Sequence, residues 1–279
     1  DFKDTVFSFV PNTAETAFYG LIQGLEDRLG AMKEEKILKL CDKKKIKKDK
    51  IAKILALRPR VEKLVVKDAK MRTFIADTTS RGQMVSHVYD VTYGIVRNDK
   101  DTLVLLDDSI VRGTTLHDSI LQIVARLRPK KIVIVSSAPQ IRYPDCYGID
   151  MSKMHEFVAF QALVALLREH DKEHLLDEAY ERCKAQECRP TAEVTNEVKA
   201  LYEEFTYEEV SRKIAEIVTP PNIKPEVQVI YQSIEGLRRA CPDNNGDWYF
   251  SGDYPTPGGN RVVNRSFVNY MEGKDVRAY

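Results

Sequence analysis

The stretch LVLLDDSIVRGTT, residues 103–115, joins an apolar run to two adjacent aspartates and a loop of small residues. The unbroken apolar run is typical of a strand that is buried on both faces of a parallel sheet. In open parallel sheets, ligands bind at the carboxyl ends of the strands, which is where Asp107 and Asp108 fall. Two neighbouring carboxylates repel each other, so burying them without a partner is costly. A hard divalent cation or a pair of sugar hydroxyls would offset that cost.

The loop that follows the aspartate pair is suited to an anion. Backbone N–H groups of the turn, together with the hydroxyls of Ser109, Thr114 and Thr115, would surround an anion at the start of a helix. Carboxylates for hydroxyls and metal, next to amides for a phosphate, predict a site for a ribose 5-phosphate. The alternative is a capped helix after an ordinary buried strand, although capping rarely requires two consecutive aspartates.

Strands and helices alternate on both sides of this stretch. Strand and helix patterns joined by short links predict right-handed parallel crossovers and therefore an α/β fold. The predicted strands are TVFSFV (5–10), VEKLVV (61–66), TLVLLDD (102–108) and KKIVIVSSAP (130–139), and the clearest predicted helices are AETAFYGLIQGLEDRL (14–29), LHDSILQIVARLR (116–128) and MHEFVAFQALVALL (154–167).

Composition places the chain among soluble globular proteins. The 279 residues are 43% hydrophobic and 30% charged, and the net charge of +1 gives no general attraction to nucleic acid or membrane. No apolar run approaches the roughly 18 residues that span a bilayer. The amino terminus lacks the succession of basic, apolar and small residues that is typical of a signal peptide. Five scattered cysteines favour reduced thiols in the cytoplasm over a disulfide framework.

Two regions are expected along the chain. Residues 1–165 form the predicted α/β core, and residues 166–279 form a mainly helical extension with a Gly- and aromatic-rich tail. Within the core, a Lys-rich insertion at about 31–60 breaks the strand–helix rhythm. It is interpreted as a solvated helix hairpin, with a patch that binds RNA or phosphate as the alternative.

Four motifs of the sequence resemble the amidophosphoribosyltransferases, which are type I phosphoribosyltransferases. The stretch LVLLDDSIVRGTT resembles the family's phosphoribosyl diphosphate signature, and SSAPQIRYPDCYGIDM (136–151) resembles a second family segment. FVPNTAETAF (9–18) is similar to the pyrophosphate loop, and MRTFI (71–75) to the mobile active-site loop. The four motifs occur in family order across roughly residues 8 to 160.

The resemblance implies the type I phosphoribosyltransferase fold and the first step of purine synthesis. In that step, ammonia derived from glutamine replaces the pyrophosphate of phosphoribosyl diphosphate and gives phosphoribosylamine. Asp107 and Asp108 would hold the ribose hydroxyls and Mg²⁺, and Thr13 would be a further metal ligand that contacts pyrophosphate. Arg72 or Lys67 would add positive charge and help to exclude water. The turn that binds the 5-phosphate would consist of Ser109, Ile110, Val111, Arg112, Gly113, Thr114 and Thr115.

Three departures from the family pattern qualify this expectation. The chain begins DFKDTVFSFV, without the amino-terminal cysteine of the family's glutaminase half, so a fragment of a longer enzyme is expected. The Lys-rich insertion is longer than the family's link at that position. Some members hold an iron–sulfur cluster, but Cys146 is displaced by one place and Cys241 stands alone, so no cluster is expected. Members of the family are commonly oligomers, so the resemblance implies that this chain forms a homo-oligomer.

Two other functions share the aspartate pair. In a regulator, the same fold could bind phosphoribosyl diphosphate as a signal, and the Lys-rich insertion would bind nucleic acid. No helix-turn-helix or zinc signature supports that alternative, so no nucleic acid or membrane partner is expected. A salvage transferase that acts on a free base is less compatible with the VPNT, RTFI and YGID stretches.

Overall fold

The computed structural model describes residues 2–11, 13–42, 46–67, 89–147, 151–244 and 246–278. The chain forms two compact units. The first consists of Asp1–Asp108, Asp118–Ser137 and Pro220–Gln228, and the second of Ser109–His117, Ala138–Thr219 and Val229–Tyr279. The stretch 103–115 therefore contributes its strand and both aspartates to the first unit and its loop to the second.

The first unit is built on a five-stranded sheet with the order β2-β1-β5-β6-β7. β1 pairs in parallel with β2 and β5, and β5 pairs in parallel with β6. A separate antiparallel pair is formed by β3 and β4. The strands are β1 (Thr5–Phe9), β2 (Arg60–Val61), β3 (Val65–Lys67), β4 (Tyr89–Val91), β5 (Thr102–Asp107), β6 (Lys131–Ser136) and β7 (Glu226–Tyr231, of which the last three residues belong to the second unit).

The central strands are apolar because both of their faces are covered. Leu103 and Leu105 of β5 have no exposed surface, and Ile132 and Ile134 of β6 are equally buried. On β1, the Phe9 ring lies 5.0 Å from the ring of Phe18 in the following helix. Burial on this scale contributes about 1.5–3 kcal/mol for each large apolar side chain.

The helices of the first unit are α1 (Ala14–Asp42), α2 (Lys48–Leu55) and α3 (Leu121–Ala125), the last preceded in the chain by a π-helical turn, Leu116–Ile120. The helix predicted over residues 14–29 is longer than expected, because α1 continues for 29 residues, into the Lys-rich insertion. Glu and Lys residues with high helix propensity follow Leu29 and favour this continuation. α2 contacts α1 and contains no buried residue, which agrees with a solvated helix hairpin.

Two further expectations need correction. VEKLVV (61–66) is not one strand, because Arg60–Val61 joins the main sheet and Val65–Lys67 joins the antiparallel pair. The strand β7 is absent from the predicted set, because it lies between Pro-rich and polar segments that hide its short alternation.

The second unit is mainly helical. Its helices are α4 (Val158–Glu169), α5 (His174–Gln186), α6 (Lys199–Glu203), α7 (Tyr207–Val218), α8 (Ile234–Ala240), α9 (Trp248–Ser251) and α10 (Pro257–Met271). α4 packs on α7, and α10 packs on α5. The ring of Phe160 lies 4.9 Å from that of Tyr270, edge to face. The tail thus contains a 15-residue helix, α10, that its Gly- and aromatic-rich composition does not indicate.

The predicted α/β class is confirmed: a parallel sheet is flanked by helices and followed by a helical C-terminal part. The boundary expected near residue 166 lies inside α4, and the division into residues 1–165 and 166–279 stays a prediction. Among the described residues, no helix combines the length and the apolar character that crossing a membrane requires.

A buried carboxylate fixes the start of β5. Asp101 has no exposed surface and receives hydrogen bonds from the Arg60 guanidinium at 2.8 Å and from the Arg97 backbone and Nε at 2.8 and 3.0 Å. Burial raises the pKa of Asp101, but the hydrogen bonds from Arg97 and Arg60 outweigh it and lower the pKa to about 2. The ionised carboxylate therefore ties β2, β5 and the turn before β5 together.

Asp101→Asn should lower the free energy of unfolding at pH 7 by about 2 kcal/mol, because a carboxylate with a depressed pKa stabilises the fold only while it is ionised. The contribution is present above about pH 4 and is lost as the pH falls through about 2. Urea unfolding of both proteins at pH 7 and pH 2 measures the difference.

Asp99→Asn is the matched control. Asp99 forms an exposed ion pair with Arg128, so its loss should change stability by less than about 0.5 kcal/mol. Equal effects of the two substitutions at pH 7 would contradict the role given to Asp101.

Candidate functional site

The aspartate pair lies where the sequence places it, at the carboxyl end of β5. Asp107 is the last residue of the strand and is 8% exposed, whereas Asp108 is half-buried. The Asp108 backbone N–H donates to Asp107 Oδ1 at 3.0 Å. Ser137, just after β6, donates its N–H to the Asp107 carbonyl at 2.9 Å and its hydroxyl to the Asp108 carbonyl at 3.0 Å. The neighbouring strand therefore holds the backbone of both aspartates.

The surroundings of Asp107 disfavour the ionised form of its carboxyl group. Burial raises the pKa of its carboxyl, and the adjacent Asp108 raises it further, to about 8. Near neutral pH the side chain then carries a proton unless a cation compensates the charge. The donor set fits Mg²⁺, because this ion prefers carboxylate oxygens and commonly takes one or two carboxylates with its remaining ligands from water and phosphate.

The antiparallel strands β3 and β4, here called the β3–β4 pair, form a second small sheet in the first unit. The Leu64 backbone N–H donates to Ser8 Oγ of β1 at 3.0 Å, so the base of β3 is fixed to the main sheet. In the β3–β4 ladder Lys67 pairs with Tyr89, and the Lys67 Nζ lies 5.6 Å from the centroid of the Tyr89 ring. Burial raises the pKa of Tyr89, and the charges of Asp107 and Asp108 raise it further. The phenol is therefore within electrostatic range of both carboxylates.

Thr13 lies at the same edge of the sheet as the aspartates. β1 and β5 are parallel neighbours, and the Val10 N–H continues their pairing by donating to the Leu106 carbonyl at 2.8 Å. Thr13 follows after Val10 and Pro11, is exposed and immediately precedes α1. The first unit thus brings Thr13, Asp107 and Asp108 to one edge.

The predicted phosphate loop belongs to the second unit. Thr114 and Thr115 are exposed at the start of the helical turn, and Ile110 is buried as an anchor. The Val111 carbonyl accepts from the Val158 N–H at 2.8 Å, which ties the loop to α4. The Arg112 guanidinium pairs with Glu156 at 2.6 Å, so its observed partner is another part of the protein. Ser109 is half-buried at the beginning of the loop.

Gly113 allows the loop to turn. Its φ of +74° is in the left-handed region, which side chains rarely adopt. A Cβ at this position would also lie 2.6 Å from Val218 Cγ1 and 3.5 Å from Val158 Cγ2. The glycine of the signature is therefore required by the backbone conformation and by close packing.

Some predicted features lie outside the described residues. Arg72 and the whole MRTFI stretch (71–75) are among them, as are Asn12 and residues 148–150 of the second family segment. Across the described ranges, no three His, Cys, Asp or Glu side chains converge as a metal site. The expected absence of an iron–sulfur cluster stays a prediction.

Two residues beside the aspartates were missed from the sequence. Tyr89 lies in a stretch with no stable period, and its strand of three residues is too short for alternation to reveal. Ser137 is within a predicted strand, but its contacts to the aspartate backbone depend on the register between β5 and β6. A hydroxyl residue at the end of a predicted strand is a signal that indicates Ser137. No local feature of the sequence indicates Tyr89.

Asp107→Asn should make the protein more stable near pH 8 in the presence of a chelator. A carboxyl with a raised pKa stabilises the fold only while it is protonated, so wild-type stability is lost as the pH rises from about 4 through the raised pKa of about 8. Asn has the same shape and keeps the acceptor for the Asp108 N–H. The gain should be on the order of 2 kcal/mol at pH 8 and should vanish near pH 4, as measured by urea unfolding.

Asp90→Asn provides the control. Asp90 Oδ1 accepts from the next backbone N–H, that of Val91, at 2.7 Å, as Asp107 does from Asp108, but Asp90 is exposed. Its substitution should change stability little at either pH. A loss of stability in Asp107→Asn at pH 8 would show that the carboxylate has a compensating partner.

Comparison with curated proteins finds amidophosphoribosyltransferases. The protein of that name from Haemophilus influenzae is 44% identical over 90 residues, which cover 32% of this chain and 17% of that protein. The Escherichia coli protein is 48% identical over 61 residues, covering 22% of this chain and 12% of that protein. The Schizosaccharomyces pombe protein is 40% identical over 62 residues, covering 22% and 11%. The chain thus aligns with less than a fifth of the length of these relatives.

Comparison with solved structures finds two proteins of low similarity. Glutamine phosphoribosylpyrophosphate amidotransferase from B. subtilis, complexed with ADP and GMP, covers 91% of this chain and 38% of its own at 21% identity and a TM-score of 0.44. A structure described as the allosteric regulatory enzyme of purine biosynthesis covers 90% and 37% at 20% identity and a TM-score of 0.45. These scores are too low to assign a fold or an activity.

No protein-family model matches the chain. The relationship therefore rests on sequence identity, which reaches 40–48% in proteins from two bacteria and a yeast. The resemblance predicted from the sequence is confirmed: over the matched segment, this chain is related to the amidophosphoribosyltransferases.

Proposed function

We propose that the chain carries the phosphoribosyl transfer of an amidophosphoribosyltransferase. Ammonia, derived from glutamine, would attack C1 of 5-phosphoribosyl 1-diphosphate, pyrophosphate would leave, and 5-phosphoribosylamine would form. The observation that carries the proposal is the buried aspartate pair at the carboxyl end of β5, followed directly in the chain by the loop that resembles the family signature. The relationship to named amidophosphoribosyltransferases supports the reaction class.

The aspartates suit a reaction in which positive charge develops on a sugar. As the bond from C1 to pyrophosphate lengthens, the ring carbon gains positive charge, and a fixed carboxylate stabilises that charge more in the transition state than in the ground state. Asp107 and Asp108 would hold the ribose hydroxyls at the same time. The reaction needs no side-chain nucleophile, because ammonia attacks directly.

The leaving pyrophosphate requires cationic partners. Asp107, Asp108 and Thr13 would hold Mg²⁺, which when bound would neutralise charge on the departing group. Lys67 and Arg72 would add positive charge to the same group. The turn from Ser109 to Thr115 would bind the 5-phosphate through backbone amides and the exposed hydroxyls of Thr114 and Thr115. Association of several copies of the chain stays a prediction.

Pyrophosphate release tests this proposal. The protein should release pyrophosphate from phosphoribosyl diphosphate when Mg²⁺ and concentrated ammonium chloride are both present. Asp107→Asn should lower kcat by about 100-fold or more, the size of effect seen when a transition-state partner is removed. An intact amidophosphoribosyltransferase serves as the positive control.

Asp99→Asn removes an exposed carboxylate at the opposite end of β5 and should leave the rate unchanged. Normal turnover by Asp107→Asn would show that Asp107 holds neither the metal nor the sugar. Release that requires a free base instead of ammonia would support a salvage transferase. Tight binding of phosphoribosyl diphosphate without turnover would support a regulator.

A further inference from the structure

The β3–β4 pair has one buried face and one exposed face. Val65 and Val91 are opposite each other and are 0% and 7% exposed. Val66 and the Asp90 opposite it are exposed. Side chains alternate between the faces of a strand, so the next pair along, Lys67 and Tyr89, continues the buried face. The lysine is therefore on the inward side of the β3–β4 pair.

Because Lys67 is on the inward side of the β3–β4 pair, its side chain needs a partner that holds it extended. Its opposite residue is Tyr89, and the ammonium nitrogen lies 5.6 Å from the centre of the Tyr89 ring, within cation–π range. Both side chains are half-buried, so water weakens the contact less than it would on an open surface. The side chain of Lys67 forms no ion pair among those found in the described residues.

The tyrosine also connects the lysine to the aspartates. The β3–β4 pair is fixed to β1 through the Leu64–Ser8 hydrogen bond, and β1 lies next to β5, which ends at Asp107. Asp107 and Asp108 act electrostatically on the Tyr89 phenol. Tyr89 thus has the lysine on its ring and the carboxylates within range of its hydroxyl.

We infer that Tyr89 is a positioning residue for Lys67, whose ammonium group it holds against the face of its ring on the inward side of the β3–β4 pair. The inference rests on the proposed function, because Lys67 would meet the pyrophosphate that leaves from the sugar held by the aspartates. A flexible lysine would otherwise spend much of its time in solvent, and ordering it in advance lowers the entropic cost of each turnover.

A double-mutant cycle tests the inference. Tyr89→Phe keeps the ring and should change kcat by less than about 3-fold, whereas Tyr89→Leu removes it and should lower kcat about 10-fold with a smaller change in KM. Lys67→Met should lower kcat further. The double variant Lys67→Met/Tyr89→Leu should be no slower than Lys67→Met alone, because the ring then has no ammonium group to hold.

Lys63→Met is the matched control. The Lys63 Nζ lies 5.9 Å from the Phe9 ring, but Lys63 is exposed, so its loss should leave turnover unchanged. Losses that multiply in the double variant, or a Tyr89→Phe variant as slow as Tyr89→Leu, would overturn the inference.

A second measurement does not depend on turnover. After reductive ¹³C-methylation, the Lys67 methyl signal, identified by its absence in Lys67→Met, should be shifted upfield by the ring. The shift should persist in Tyr89→Phe and disappear in Tyr89→Leu. An unshifted signal overturns the inference even if the enzyme is active. A shifted signal in a protein without ammonia-dependent release would leave the contact intact and overturn the proposed function, and with it the catalytic purpose of the contact.

Discussion

The parallel pairing of β1 with β5 is the constraint on which the arrangement depends. It places the ends of two buried strands at one edge, so that Thr13 and the aspartate pair lie at the same edge of the sheet. β1 also anchors the β3–β4 pair, because Ser8 on β1 accepts from the Leu64 N–H. A buried ion cluster around Asp101 fixes the other end of β5. The carboxylate at the start of β5 is therefore compensated by arginine, whereas Asp107 at the end of β5 has no cationic partner among the described residues.

This contrast separates stability from function within a single strand. Asp101 is surrounded by arginine donors, and its pKa is lowered to about 2, so it contributes to the fold. Asp107 is buried and receives no such donor from the part of the chain that the structure describes, and its pKa is raised to about 8, so it opposes the fold when ionised. A carboxylate that is costly in the free protein but kept at a strand end is typical of a site whose partner arrives from solution.

Much of the fold and part of the site could be predicted from the sequence. The strands around residues 103–108 and 131–136 were evident because short continuous apolar runs are typical of strands covered on both faces. The aspartate pair and the glycine of the loop were evident because their chemistry is local. Tyr89 and Ser137 were not, since their roles arise from strand register and from contacts between residues far apart in the chain. The length of α1 was underestimated because its last turns carry no pattern of buried apolar residues that would indicate a helix.

The thinly buried distal part of α1 has a consequence for the way the protein opens. A helix of 29 residues is about 43 Å long, and among its described side chains only Ala14, Phe18 and Leu29 are buried. The contact with α2, which contains no buried residue, adds little apolar burial. Beyond Leu29, the order of α1 therefore depends mainly on intrinsic propensity and on local pairs such as Glu35 with Lys39, each contributing only a few tenths of a kcal/mol. The distal turns should therefore fray and exchange their amide protons long before the sheet does, as an independent unit of low local stability.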